Sequence, residues 1–443
     1  MTQKNITQKE FLVQFNKFPL GFIHFIINPF SVPLSCFFSD FFDILYFWSM
    51  FKENRSLLII ALIAVVNALG YGIVIPILYS YSRQYGLSDF QNGLLFATFS
   101  ICQFISTPII GRMSDKYGRK PLLLASIGGT AVSFLLMAFA PSALFLFIAR
   151  ALDGITAGNI PVATAVISDT TKPEDRAKGF GIIGASFGFG FVFGPAISAL
   201  TVGISTATPF LIAAGVSIVA VFLTAIFLPE TNKHMGEVRH GKLFDFAKLW
   251  HMLFDPQIGI TFLVSLFYFF AFACAIIYGF QPFAIKVIGI TSQQNAILFT
   301  LFGAVGLISQ IFVVHRFSKY FGVKKSFSIS ILATAVAFLI MFVSRSIPVF
   351  VLGSIILGIA NGNVQTLIPT ILSAETDPKS QGSVMGLNAS YQSIGFIVGP
   401  IVGGVLASIA VPLPLLAGAV LIAFCFWLSF RMLRPNLAKE SAF

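Results

Sequence analysis

Asp153-Gly-Ile-Thr-Ala-Gly158-Asn159 and Leu357-Gly-Ile-Ala-Asn-Gly362-Asn363 are two versions of one heptapeptide, 204 positions apart. Further along, Gly181, Gly194 and Pro195 recur as Gly386, Gly399 and Pro400 at an offset of 205. Self-similarity on this scale marks a chain assembled from two copies of one unit. Working outward from each heptapeptide, every copy contains six apolar runs of about 20 residues, the length that crosses a bilayer as a helix. Six is even, so both copies cross in the same sense and the repeats are parallel.

The twelve runs lie roughly at 57–80, 89–110, 121–140, 142–165, 179–200, 208–228, 257–280, 293–314, 326–344, 348–371, 383–408 and 412–432. The chain is 56% hydrophobic and 10% charged, against about 25% charged in soluble domains. One soluble fold of 443 residues is therefore excluded. The expected division is an N-terminal extension (1–56), a six-helix bundle (57–228), a linker (229–256), a second six-helix bundle (257–433) and a tail (434–443). Residues 1–56 lack the basic start, clean apolar centre and small-residue site of a signal peptide. Met50-Phe51-Lys52 would make a natural start, so the extension is expected to lie outside the fold.

The net charge of +11 comes from short basic clusters between apolar runs. This pattern describes cytoplasmic loops and gives no basic stripe for nucleic acid. Arg112, Lys116, Arg119, Lys120, Lys172, Arg176, Lys178, Arg316, Lys319, Lys324, Lys325 and Lys379 share one side with the linker and tail. The opposite loops hold Arg83, Lys286 and Arg345. Both termini are thus expected in the cytoplasm. Cys36, Cys102, Cys274 and Cys425 are isolated in apolar stretches, and the five histidines form no ligand spacing, so neither a disulfide framework nor a metal site is expected. No nucleophile–base set or phosphate loop supports catalysis, and the linker is too short for a folded output domain.

The loop after the second run reads Gly111-Arg112-Met113-Ser114-Asp115-Lys116-Tyr117-Gly118-Arg119-Lys120. Gly111 and Gly118 would permit a tight reversal, while Asp115 could pair with Arg119 or sit at a helix N-terminus. A degenerate copy, His315-Arg316-Phe-Ser-Lys319-Tyr-Phe-Gly322, follows the eighth run with Lys319 in the aspartate's place. In the fourth run Arg150 and Asp153 lie three residues apart on nearly one face, and Arg150 would lie about 12 Å deep at 1.5 Å per residue. Ionisable groups at that depth are costly and mark function by default; a structural ion pair is the plainer alternative. Asp153 is the one acidic residue well inside a span.

These stretches together resemble the major facilitator superfamily, whose signature between helices 2 and 3 matches Gly111 to Lys120. The resemblance implies an all-α membrane protein of twelve transmembrane helices in two parallel six-helix repeats. It also implies a gating latch at Gly111, Arg112, Asp115, Gly118 and Arg119, and a proton-coupling role for Arg150. Gly181, Gly190, Gly194-Pro195, and again Gly386, Gly395, Gly399-Pro400, look like the antiporter signature of drug exporters. Small residues at those positions permit close helix approach, and the prolines bend a span. The nearest branch is similar to tetracycline-type exporters, through Asn67-Ala-Leu-Gly70-Tyr71-Gly72-Ile-Val-Ile-Pro76 and Ser168-Asp169-Thr-Thr-Lys-Pro-Glu174-Asp175-Arg176-Ala177. That branch usually carries aspartates where Asn67 and Ser133 stand here. Neutral residues cannot hold a cationic chelate by charge, which argues against tetracycline and moves coupling to Asp153, Arg150 or Asp169.

Helices 1, 4, 7 and 10 line the family's cavity. The candidates there are Asn67, Tyr71, Asn159, Tyr268, Tyr278, Gln281, Asn361, Asn363 and Gln365. Aromatic and amide groups in an apolar wall suit a moderately hydrophobic organic molecule; some of these side chains would serve helix packing instead. The resulting expectation is a monomeric transporter of the bacterial inner membrane that exports small molecules. It would run on a proton gradient, with protons and lipid as its other partners and without a cofactor or metal. Metabolite uptake or facilitated transport on the same fold is the alternative.

Overall fold

The computed structural model describes residues 55–172, 176–232, 236, 245–377 and 380–432. The expected extension up to residue 54 and the expected tail lie outside them, as do residues 233–235 and 237–244 of the linker. Among the described residues there is no strand, and twelve helices are long and apolar enough to cross a membrane. In chain order they are α1 Arg55–Arg83, α2 Asp89–Tyr117, α3 Arg119–Ala138, α4 Ala143–Thr170, α5 Arg176–Thr201 and α6 Thr208–Phe227. The second set is α7 Gly259–Ile288, α8 Ser292–Phe321, α9 Val323–Val343, α10 Ile347–Ala374, α11 Gln381–Ile409 and α12 Leu413–Met432. A short helix, Phe246–Met252, precedes α7.

The packing repeats with the sequence. Within the first half α1 packs on α5, α2 on α4, and α3 on α4 and α6; α7–α11, α8–α10, α9–α10 and α9–α12 are their counterparts. Across the halves α2 meets α11 and α8 meets α5. Each contact maps onto the other when the helix number is advanced by six, which is the geometry of parallel repeats about one axis.

Local chemistry repeats too. Ser88 and Gln91 form a capping box at the start of α2, and Thr291 and Gln294 form another at the start of α8. Each pairs a hydroxyl with a backbone N–H and returns an amide to the cap, satisfying donors that a helix start leaves open. Gly118 (φ +101°) and Gly322 (φ +79°) turn the chain into α3 and α9 at dihedrals that side chains resist.

The reversal after α2 rests on Gly118 alone. Gly111, expected to share it, lies inside α2, where an added methyl would stand 3.6 Å from Pro161 Cβ. The antiporter-type glycines also divide. A methyl on Gly194 would come within 2.7 Å of Gly72, and Gly190 abuts Ala68, so α5 lies directly on α1. Gly395 and Gly399 press α11 onto α7 in the same way, at Phe270 and Cys274. Gly181 and Gly386 have nothing within 4 Å and take no part in this packing. Pro195 and Pro400 both sit within continuous helices.

Candidate functional site

The α4 helix is the irregular element of the first half. It breaks between Thr156 and Ile160, with Asn159 ahead of Pro161. A proline cannot donate to the carbonyl four residues back; here that carbonyl is Ala157, and Gln103 Nε2 from α2 donates to it at 3.3 Å. The second half has Gln365 at the position corresponding to Pro161, and α10 runs unbroken past Asn363. One substitution between the repeats therefore accounts for the asymmetry.

One turn before the break, Arg150 Nη1 donates to Asp153 Oδ2 at 3.0 Å. Arg150 and Asp153 are 3% and 6% exposed. The guanidinium carbon lies 4.4 Å from the Phe99 ring centroid, a cation–π geometry that partly replaces lost hydration. Arg150 Nε is buried with no hydrogen-bond partner. Removing either charge would strand the other in a medium that solvates it poorly.

The pair stands between two narrow clefts. One is lined by Arg150 with Tyr71, Ile75, Phe96, Phe99, Ser100, Ile277, Phe396 and Pro400, and so lies between the halves. The other is lined by Asp153 with Asn67, Tyr71, Phe99, Thr130, Phe134 and Ala157, inside the first half. Tyr71 and Phe99 border both, with ring centroids 5.8 Å apart.

Of the nine cavity candidates, Asn67 and Tyr71 border these clefts. Asn67 Nδ2 also donates to Asn159 Oδ1 at 2.8 Å, and Asn159 Nδ2 donates to Ser126 Oγ at 2.7 Å, tying α1, α4 and α3. Asn363 accepts from Ser309 and donates to Ser330 within the second half. Tyr268 donates to Asn361 Oδ1 at 2.9 Å. Gln365 is half-buried on α10.

Tyr278 and Gln281 belong to a junction between the halves, at the end far from the α2–α3 loop. Gln281 Nε2 donates to Ile75 O at 2.5 Å and its Oε1 accepts from Tyr79 N at 3.3 Å, spanning one rung of the α1 ladder. Tyr278 Oη donates to Asp89 O at 2.6 Å, and Asn295 Nδ2 donates to Pro76 O at 2.7 Å. Lys286 Nζ pairs with Asp89 at 2.8 Å, and Tyr79 Oη donates to the same carboxylate at 2.6 Å. Around these residues α7 widens into π-helical turns, Ala273–Gly279 and Ala284–Ile288, a distortion common where helices carry function.

At the other end, Asp115 and Arg119 pair at 2.6 Å, and Arg119 Nε reaches Asp169 Oδ2 at 3.3 Å. Asp169 thus joins the expected latch rather than Arg150 and Asp153. Arg112 lies in the last turns of α2. A member the sequence reading left out is Glu230. Its carboxylate accepts from Arg119 N at 2.9 Å and Lys120 N at 3.1 Å, capping α3 from the chain just beyond α6. Burial pushes this carboxyl up, but backbone N–H groups of Asn232, Arg119, Lys120 and Thr231 outweigh it and hold it below its ordinary value. Asn232 Nδ2 adds a bond to Asp115 O at 2.9 Å.

Phe99, Phe96, Phe134 and Phe396 were also missed, since 52 phenylalanines spread along the chain give no local signal for those that face a cleft. Glu230 carried only the weak signal of an acid among basic residues.

Comparison with known proteins places this geometry in a wider set. The family model of the Major Facilitator Superfamily matches residues 60–313 and 269–443. Multidrug resistance protein 1 of Bacillus subtilis is 31% identical, over 88% of this chain and 100% of its own. The class G tetracycline resistance protein of Vibrio anguillarum is 31% identical, over 78% of this chain and 89% of its own. Among solved structures, a bacterial homologue of the human lysosomal transporter Spinster, inward-facing and occupied, superposes with a TM-score of 0.70 at 16% identity, covering 87% of this chain and 98% of its own. The human organic anion transporter MFSD10 gives a TM-score of 0.65 at 23% identity, covering 85% and 99%.

Proposed function

The chain belongs to the Major Facilitator Superfamily, an integral membrane transporter family, and from that premise we propose that it exports small, moderately hydrophobic organic molecules in exchange for protons. Export is supported by relatives at about 30% identity over most of the chain, named for multidrug and tetracycline resistance. Proton coupling rests on one observation, the buried Arg150–Asp153 pair between two aromatic clefts. A carboxylate held there by a single cation can take up a proton as the helices around it move, and so couple its charge to the conformation.

In this reading the latch end faces the cytoplasm of a bacterial cell, because the basic residues gather there. The protein works as a monomer, with the proton gradient as its energy source. Asp89, Lys286, Tyr278 and Gln281 close the far end, and the Asp115–Arg119–Asp169–Glu230 group sets the stiffness of the latch end. Alternating access would open one while the other closes.

The deciding measurement uses inverted membrane vesicles and a panel of fluorescent amphiphiles. An imposed pH gradient should drive accumulation of a panel member; no gradient-driven movement of any member defeats proton coupling. Asp153→Asn should abolish driven accumulation while sparing exchange of the same compound. Unchanged driven transport removes Asp153 from the mechanism.

A further inference from the structure

We infer that two buried amides act in opposite senses on the junction at the far end: Gln281 clasps it shut, and Asn295 loads it for release. The inference rests on the alternating-access reading and deepens it, but needs neither a substrate nor a gradient. Both side chains are fully buried. Both reach from the second half to one turn of α1, the turn that carries Pro76.

Gln281 is used at both ends. Its Nε2 donates to Ile75 O at 2.5 Å, and its Oε1 accepts from Tyr79 N at 3.3 Å. These are the two backbone groups that a helix pairs with each other, four residues apart. One side chain of α7 therefore bonds both partners of a single α1 rung. When the halves part, that carbonyl and that N–H can close on each other, so release leaves no backbone group of α1 without a partner. The clasp is made only while the far end is closed.

Asn295 is used at one end. Its Nδ2 donates to Pro76 O at 2.7 Å. A carbonyl can only accept, so the amide nitrogen must face it and the orientation of the side chain is fixed. Asn295 Oδ1 is then buried with no hydrogen-bond partner. The first repeat shows that this position does not require an orphan. Asn92 follows the Ser88–Gln91 capping box as Asn295 follows Thr291–Gln294. Asn92 Oδ1 accepts from Ser82 Oγ and its Nδ2 donates to Ser88 O at 3.0 Å, both inside the first half. In the second half the same amide has turned to the other bundle and left its acceptor unmatched. A buried acceptor without a donor loses its hydration, a larger penalty than one ordinary hydrogen bond offsets. Opening the far end to water removes that penalty.

One chemical change at each amide separates the two senses. Spin labels on cysteines placed at Ser205 and Arg345 read the far end in full-length protein in lipid nanodiscs, with the four native cysteines exchanged for alanine. Gln281→Leu should raise the ratio of long to short distances by about fivefold, the weight of one net hydrogen bond. Asn295→Leu, added to Gln281→Leu so that an open population is there to shrink, should lower that ratio by about fivefold. Asn295→Met makes the same change with a more adaptable side chain. An Asn295 variant that leaves the ratio unchanged or raises it overturns the proposal. Melting of both Asn295 variants below Gln281→Leu alone also overturns it, because removing an orphaned acceptor cannot cost stability. A Gln281→Leu chain whose distances match the unmodified protein overturns the clasp; longer distances for Asp89→Asn in the same assay would keep alternating access standing. If the distances move as expected while no gradient drives transport, proton coupling falls and the two amides keep their roles.

Discussion

Glu230 and Arg119 are 111 positions apart, yet one carboxylate caps the first turn of α3 and touches the turn at Gly118. The consequence is a testable pH dependence. Its carboxyl is held lower in the folded protein than in the unfolded chain. The stability it contributes is therefore present above the ordinary value of 4.5 and is lost as pH falls through the lower folded value. Glu230→Gln should melt at a lower temperature than the parent at neutral pH. The gap should close as the pH is taken below 4.5, which thermal melts in detergent would follow. The group is largely exposed, so the effect will be modest. Asn159 makes the opposite point. An amide in a candidate cavity helix is instead bonded to Asn67 on α1 and Ser126 on α3, inside its own bundle.

At the scale of elements, the glycines separate into those that set a helix contact and those that do not. Gly194→Leu would drive a side chain into Gly72, and Gly399→Leu would do the same at Cys274. Overpacking of this kind costs about 1–3 kcal/mol or more, so both variants should lose thermal stability and transport. Gly181→Ala and Gly386→Ala meet open space and should stay within about 0.5 kcal/mol of the parent. Equal losses in both groups, read by melting and by amphiphile efflux, would contradict the α1–α5 and α7–α11 contacts as the reason for the motif. Pro161→Ala would return a donor to the Ala157 carbonyl, relieving the break and loosening the Asn159–Ser126 bond. A lowered rate of driven transport with normal stability is the expected result.

For the whole molecule the contacts that join the halves at the far end carry the next prediction. Asp89 and Lys286 join the halves there and are partly exposed, at 13% and 32% of their side chains. Such a pair is worth about 0.5–1 kcal/mol, or about two- to fivefold in the ratio of two conformations. Asp89→Asn should shift the population towards opening at this end. Spin labels on cysteines placed at Ser205 and Arg345, in far-end loops of the two halves, would report it as a longer distance distribution. An unchanged distribution would show that the amide and tyrosine bonds hold this end without the ion pair. The same junction explains why α7 is irregular: its π-helical turns lie among the residues that reach α1 and α2.

By itself the sequence determined the class of solvent, the number and approximate positions of the spanning helices, their parallel repetition and the Arg150–Asp153 pair. These follow from local quantities: apolar runs long enough for a bilayer, a repeated offset, and two ionisable residues three apart on a helix. The helices α2, α7 and α8 run seven or eight residues past the apolar runs that marked them. The α4 break was equally local, present in Pro161 facing Gln365 across the repeat. Tertiary structure decided what each polar side chain does once buried. Asp169 went to Arg119 at the α2–α3 turn, Tyr278 and Gln281 to the junction of the halves, and Asn159 and Asn363 to bonds inside their own bundles. It also chose which phenylalanines surround Arg150, and it left one guanidinium nitrogen free. The reason is that a helix presents its side chains all round. Which face meets another helix, a cleft or lipid depends on neighbours many tens of residues away, and hydrogen bonds between such neighbours form only when the packing brings them within about 3 Å.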